Sequence, residues 1–207
     1  ATGIWREDVS YFIWIKIPAV STFAVAGPNA GSTYPANEGV SSQAALRWHA
    51  ITTFSESTTK QHSYKGLAFG VASVGGVTGV AGSTTVAQGN LFLQADGGGH
   101  QSGFVDSGRC IDDDKWHLVG FTSDYDQRTF KIYVDGEKVK THQYPDGDQW
   151  NKNYPTMWLF VQKYRTYIGN NAYYHHYCHG QFSNATLWLK VMTDGEATEL
   201  YDSGAPA

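Results

Sequence analysis

The sequence predicts an all-β domain, on three observations. Turn signals recur at short intervals, the segments between them are too short and too rich in β-branched and aromatic residues for helices, and the clearest segment alternates apolar with polar residues. Strands are expected near Tyr11–Ile17, Thr22–Ala26, Ala44–Ile51, Leu67–Ser73, Leu91–Ala95, Trp116–Thr122, Thr129–Val134, Trp158–Val161 and Gln181–Val191. In Thr129–Val134 the residues Phe130, Ile132 and Val134 stand against Lys131 and Tyr133, so one face belongs to the core and the other to water. A polar hairpin loop, Ser123–Gln127, precedes that strand. Asp135-Gly136 follows it, a dipeptide that accepts the two positive φ angles of a type I′ turn, so three antiparallel strands follow one another. The stretch from Gly75 to Gly82 reads as a loop or hairpin and Gly97-Gly98-Gly99 as a bend. Only Thr193-Asp194-Gly195-Glu196 signals a helix: the Thr hydroxyl and the Glu carboxylate three residues on can each satisfy an orphan amide, which makes a short C-terminal helix.

Length and composition fit one domain over residues 1–207. Of these residues 41% are hydrophobic, 14% aromatic and only 16% charged, enough to bury a core and unlike a solvated tail. A net charge of -4 without a Lys/Arg cluster argues against nucleic acid, whose phosphates need a basic footprint. The longest apolar run, near Phe12–Ile17, is broken by Lys16 and is far short of the roughly 18 to 20 residues of a membrane span, so no membrane insertion is expected. A start at Ala1 fits removal of a secretory leader, as it fits a trimmed chain. Two cysteines, Cys110 and Cys178, in a Gly-, Ser- and Thr-rich chain suit one disulfide in an oxidising, extracellular setting; two small buried thiols are the alternative.

Two consecutive segments carry a family resemblance. Lys115-Trp116-His117-Leu118-Val119-Gly120-Phe121, followed by Phe130-Lys131-Ile132-Tyr133-Val134-Asp135-Gly136-Glu137, resembles the strand, polar turn and strand of laminin G-like and pentraxin-like domains, of the concanavalin A-like kind. Phe12-Ile13-Trp14-Ile15-Lys16, Tyr167-Ile168-Gly169-Asn170, Gly180–Trp188 and Thr193–Gly204 resemble further parts of the same pattern, while Ser32–Gly108 carries it only faintly. The resemblance implies a two-sheet antiparallel jelly-roll sandwich with Trp14, Trp116, Trp188, Phe130 and Ile132 in the core.

Some relatives of that fold are glycosidases, which need two carboxyls roughly 5 to 9 Å apart. The family's glucanases carry E-x-D-x-E on one strand, and no such run occurs here. The glutamates are Glu7, Glu38, Glu56, Glu137, Glu196 and Glu199, the last three in a turn and the terminal helix, while Asp112, Asp113, Asp114, Asp124, Asp126 and Asp135 fall in expected turns. No catalysis is therefore expected. His175-His176-Tyr177-Cys178-His179 offers zinc ligands, but on an extended strand neighbours face opposite ways and no second cluster completes a tetrahedron. Calcium is the metal that the resemblance implies, with Asp146 and Asp148 across Gly147 as oxygen donors. The acidic cluster that pentraxins place after the Tyr167-Ile168-Gly169 position is replaced by Asn170-Asn171-Ala172-Tyr173-Tyr174-His175-His176-Tyr177.

That replacement is the pointer to function. Aromatic faces stack on the C–H face of a pyranose and amides fork to its hydroxyls, so Asn171, Tyr173, Tyr174, His175 and Tyr177 are the expected ligand residues, in a loop. Trp150 and Asn151, in the aromatic insertion from Tyr144 to Tyr154, are expected to form an adjacent wall. The resulting expectation is a secreted or surface-exposed, lectin-like domain with glycan or glycoprotein partners. The alternative is an adhesive or structural module whose loops hold protein partners in an assembly. Asn184-Ala185-Thr186 is an acceptor sequence for N-glycosylation inside an expected strand, usable only if that side meets solvent.

Overall fold

The structure is a computed structural model that describes residues 8–19, 48–55, 66–72, 77–78, 85–97, 100–124, 126–143, 156–159, 161–165, 173–177 and 180–206. Two five-stranded antiparallel sheets make up its body. The first has the order β10 (Glu137–Gln143), β9 (Thr129–Val134), β8 (Trp116–Asp124), β1 (Val9–Lys16), β14 (Gln181–Trp188). The second has the order β11 (Thr156–Leu159), β2 (Trp48–Ser55), β3 (Gly66–Ala72), β6 (Asn90–Gly97), β7 (His100–Cys110). Two small hairpins accompany them: β4 (Val77–Thr78) with β5 (Thr85–Val86), and β12 (Val161–Arg165) with β13 (Tyr173–Tyr177). Among the described residues one helix, α1 (Asp194–Asp202), lies on the outer face of the first sheet. The expected strand at Thr22–Ala26 lies outside the described residues.

The sandwich core is made by alternate residues of facing strands. From the first sheet come Val9, Tyr11, Ile13 and Ile15 of β1, Val119 and Phe121 of β8, and Phe130, Ile132 and Val134 of β9. Ile51, Phe69, Val71, Leu91, Leu93 and Val105 meet them from the second. Phe69 and Phe121 bridge the sheets edge to face, with ring centroids 5.4 Å apart.

The intervening residues of β1 are not in water. Phe12 and Trp14 join Leu118, Tyr133, Met192 and Ala197 in a second core beneath α1, with Trp116, Trp188 and Leu200 packed against it. The Trp14 ring stacks on Tyr201 at 5.6 Å. The expected core tryptophans thus lie in the helix-side layer, whereas Phe130 and Ile132 lie between the sheets. Tyr133, expected on a wetted face, is buried because α1 covers that face, and its Oη donates to Asp194 Oδ1 at 2.9 Å. A period-two pattern reports an aqueous face only where nothing packs on it.

Local chemistry seats the helix. Thr193 caps α1 with both arms of the capping box: Glu196 N donates to Thr193 Oγ1 at 3.2 Å and Thr193 N to Glu196 Oε2 at 2.8 Å. Asp135 (φ 52°) and Gly136 (φ 76°) make the expected turn between β9 and β10, and Thr198 Oγ1 donates to Gly136 O at 3.1 Å, docking helix on turn. Ser10, fully buried, ties β1 to the segment entering the helix by donating to Lys190 O (2.6 Å) and accepting from Met192 N (2.8 Å).

Gly120 makes the second core possible. It pairs with Phe12 across β8 and β1, and a Cβ at Gly120 would stand 2.3 Å from Phe12 Cδ1 and 2.5 Å from Tyr11 O. Gly120→Ala is therefore expected to destabilise the domain by about 1 to 3 kcal/mol through overpacking, read as a lower midpoint in urea unfolding. Thr193→Ala removes one arm of the capping box and should lower stability by about 1 kcal/mol in the same assay.

Candidate functional site

The expected ligand residues Tyr173, Tyr174, His175 and Tyr177 lie on strand β13, where a loop was expected. Tyrosine suits an extended, paired backbone, and β13 finds its partner in β12, a segment only touched by the expected Trp158–Val161 strand. The register is Val161 with Tyr177, Gln162 with His176, Lys163 with His175, Tyr164 with Tyr174 and Arg165 with Tyr173. Both strands of this hairpin run close to β2 of the second sheet.

Pleating divides the expected site. Tyr173, His175 and Tyr177 occupy one face of the hairpin with Val161, Lys163 and Arg165; Tyr174 and His176 occupy the other with Gln162 and Tyr164. His175 and His176 therefore stand on opposite faces, as the zinc analysis required. Asn171, Trp150, Asn151, Asp146, Asp148 and Cys178 lie outside the described residues. Among the described residues no group of three His, Cys, Asp or Glu side chains is arranged to hold a metal ion.

Where β8 of the first sheet begins stands a polar constellation whose carboxylates sequence patterning assigned to solvated turns. His117, at the start of β8, is largely buried; its Nδ1 lies 2.8 Å from Asp135 Oδ2 and its Nε2 3.0 Å from Asp113 Oδ1. Asp135 also accepts from Leu118 N at 3.1 Å, so one carboxylate links the type I′ turn to β8. The hydrogen bond that the ring donates to Asp135, opposed by burial and assisted by Asp113, raises the His117 pKa above its usual 6.5. Partial burial pushes the Asp113 carboxyl upward, but hydrogen bonds from Lys115 and His117 outweigh it and hold the group at about 2. With both ring nitrogens engaged by carboxylates, this imidazole is a cross-link rather than a base awaiting substrate. The signal was present in the sequence as His117 beside Asp113 and Asp135, but no period or motif placed the three together.

Cys110 is exposed and its thiol donates to Asp112 Oδ1 at 2.7 Å; Cys178, its expected disulfide partner, lies outside the described residues. Partial burial of the sulfur and the neighbouring Asp112 raise its pKa, so it stays protonated at neutral pH. Asn184 is exposed, with φ 49°, at a bulge where β14 slips register against β1 between Phe12 and Trp14. The bulge turns the acceptor asparagine to solvent, while Thr186 Oγ1 donates to Phe12 O at 3.3 Å.

Residues 57–198 match the family described as the concanavalin A-like lectin/glucanases superfamily, of laminin G type, and the chain belongs to it. No curated protein matches the chain in sequence. Among solved structures, the sialidase CBM40 of Ruminococcus gnavus superposes with a TM-score of 0.55 at 10% identity, over 96% of this chain and 84% of that one. The same module has been seen bound to α2,3-sialyllactose. The binding domain of botulinum neurotoxin DC, in complex with rat synaptotagmin II, gives 0.53 at 12% identity over 96% of this chain and 36% of that one. A Bacteroides ovatus protein provisionally described as carbohydrate binding gives 0.53 at 16% identity over 93% of this chain. This chain spans 40% of that protein's length. At these identities the likeness is one of fold, and it bears out the two-sheet sandwich.

The His117 cross-link makes a pH dependence. Its folded pKa is raised, so the stabilisation is complete below the unfolded value of 6.5 and is lost as pH rises through the folded value. Thermal unfolding midpoints taken from about pH 5 to pH 9 should fall for the wild type relative to His117→Gln as pH passes upward through that window. Parallel curves for the two proteins would contradict this role.

Proposed function

We propose that this domain is a non-catalytic, lectin-like module that binds carbohydrate outside the cell. The observation that carries the reading is the β12–β13 hairpin: four tyrosines, Tyr164, Tyr173, Tyr174 and Tyr177, and two histidines set on paired strands beside the second sheet of a lectin/glucanase-family sandwich. Aromatic rings give a pyranose a stacking surface, and a strand pair supported by a sheet holds them with little ordering to do on binding. The Tyr173–His175–Tyr177 face is the proposed sugar platform, with Asn171 beside it in sequence and Trp150 and Asn151 proposed as an adjacent wall. The carbohydrate-binding modules that share the fold support this reading.

Catalysis would call for facing carboxyls in a cleft, and β2, β3, β11, β12 and β13 carry no Asp or Glu. A second reading, a module that docks on a protein partner, is favoured by Leu187 and Leu189 near the edge of the first sheet, 37% and 61% exposed.

The deciding measurement is a broad glycan array probed with calcium and again with chelator. Binding to a defined set of glycans is expected; no binding in either condition would refute the carbohydrate reading and favour a protein partner. Tyr173→Ala and Tyr177→Ala should each weaken glycan binding about tenfold or more with thermal stability unchanged. Tyr174→Ala, from the other face, shows by surviving or failing whether one face or both take part.

A further inference from the structure

We infer that the ligand of the β12–β13 hairpin is an anionic glycan, a saccharide that carries carboxylate or sulfate groups; the inference rests on the carbohydrate reading above and names its substrate class. The first observation is register. Lys163 pairs with His175 and Arg165 with Tyr173, so two permanent cations share the hairpin face with Tyr173, His175 and Tyr177. Lys163 and Arg165 are two residues apart on one strand, roughly 6.5 to 7 Å along the chain, a separation that one or two sugar rings span.

The second observation is the distribution of charge. The chain as a whole has 19 acidic residues against 15 Lys and Arg, yet no Asp or Glu occurs from Gln149 to Thr193, a stretch that holds Lys152, Lys163, Arg165, Lys190 and three of the histidines. The strands nearest the hairpin add no negative charge either, since β2 (WHAITTFS) and β11 (TMWL) have none. Two cations on an aromatic face whose own and neighbouring strands offer no carboxylate supply a counter-charge for a ligand.

A neutral sugar gains from the tyrosines but leaves that positive field unused. A glycan with a carboxylate or sulfate meets Arg165 through a planar two-pronged hydrogen bond and Lys163 through a point charge while its ring stacks on tyrosine. A nucleic acid would need many more phosphate contacts than two cations in a chain of net charge -4 provide.

The test is an array of matched glycans, each presented neutral, sialylated and sulfated, followed by titration of the intact chain with lactose, sialyllactose and sulfated lactose. The acidic forms are expected to bind at least about tenfold more tightly than their neutral parents, the size of one charge-assisted hydrogen bond. The preferred arm identifies the anion as carboxylate or sulfate. The double variant Lys163→Gln/Arg165→Gln should erase the preference for the acidic form, and Arg165→Lys should retain part of it. Raising salt on the wild type is a second readout independent of any variant's folding, and it should weaken acidic-glycan binding while leaving any neutral-glycan binding unchanged. Equal binding of neutral and acidic forms, or salt-insensitive binding, overturns the anionic assignment and leaves the carbohydrate reading standing. An array with no bound glycan of any kind overturns both.

Discussion

The domain depends on one strand being buried on both faces. β1 sends Val9, Tyr11, Ile13 and Ile15 into the space between the sheets and Phe12 and Trp14 into the layer under α1. It also pairs with β8 on one side and β14 on the other. Burial of this kind stabilises at roughly 25 cal/mol per Å² of apolar surface removed from water, and a strand that is covered twice collects it from both faces. Removing β1 would separate β14 from its one sheet neighbour among the described residues and open both cores. The Ser10 hydroxyl shows how tightly that dependence is drawn, because a buried polar side chain on β1 takes up the backbone of the segment that leads into the helix.

From that strand the polar architecture follows outward. Gly120 leaves room for Phe12, the second core seats α1, and α1 in turn docks on the Asp135-Gly136 turn through Thr198. Asp135 then serves two elements at once, accepting from Leu118 N and holding His117, which also reaches Asp113. The turn is thus held from both sides, by helix and by β8. The hairpin proposed to bind sugar is a separate strand pair that runs close to β2 of the second sheet.

Much of the fold was legible because its signals are local. Asp135-Gly136 and the Thr193–Glu196 box specify backbone geometry within a few residues, and both were found where their chemistry placed them. β7 escaped, although it is the longest strand, because HQSGFVDSGRC has two glycines and no sustained apolar period. Tyr133 was misplaced for a nonlocal reason: a helix sixty residues later in the chain covers its face. The tyrosine-rich stretch was singled out by composition, but only the pairing of β13 with β12 shows that Tyr174 parts company with Tyr173 and Tyr177, and that Lys163 and Arg165 are cross-strand neighbours of the stretch. The carboxylate clamp on His117 was not legible for the same reason, since its two carboxylates come from separate turns and the imidazole from β8.

The bulge at Asn184 has a consequence for how such a domain can be used. Among the described residues β14 is one of the two outer strands of the first sheet, and an unbroken outer strand invites a second molecule to add to it. The slip in register between Phe12 and Trp14, with Asn184 at positive φ, spoils that template. At this edge, one of the two that the first sheet presents among the described residues, a second copy of the domain therefore finds no straight ladder to extend.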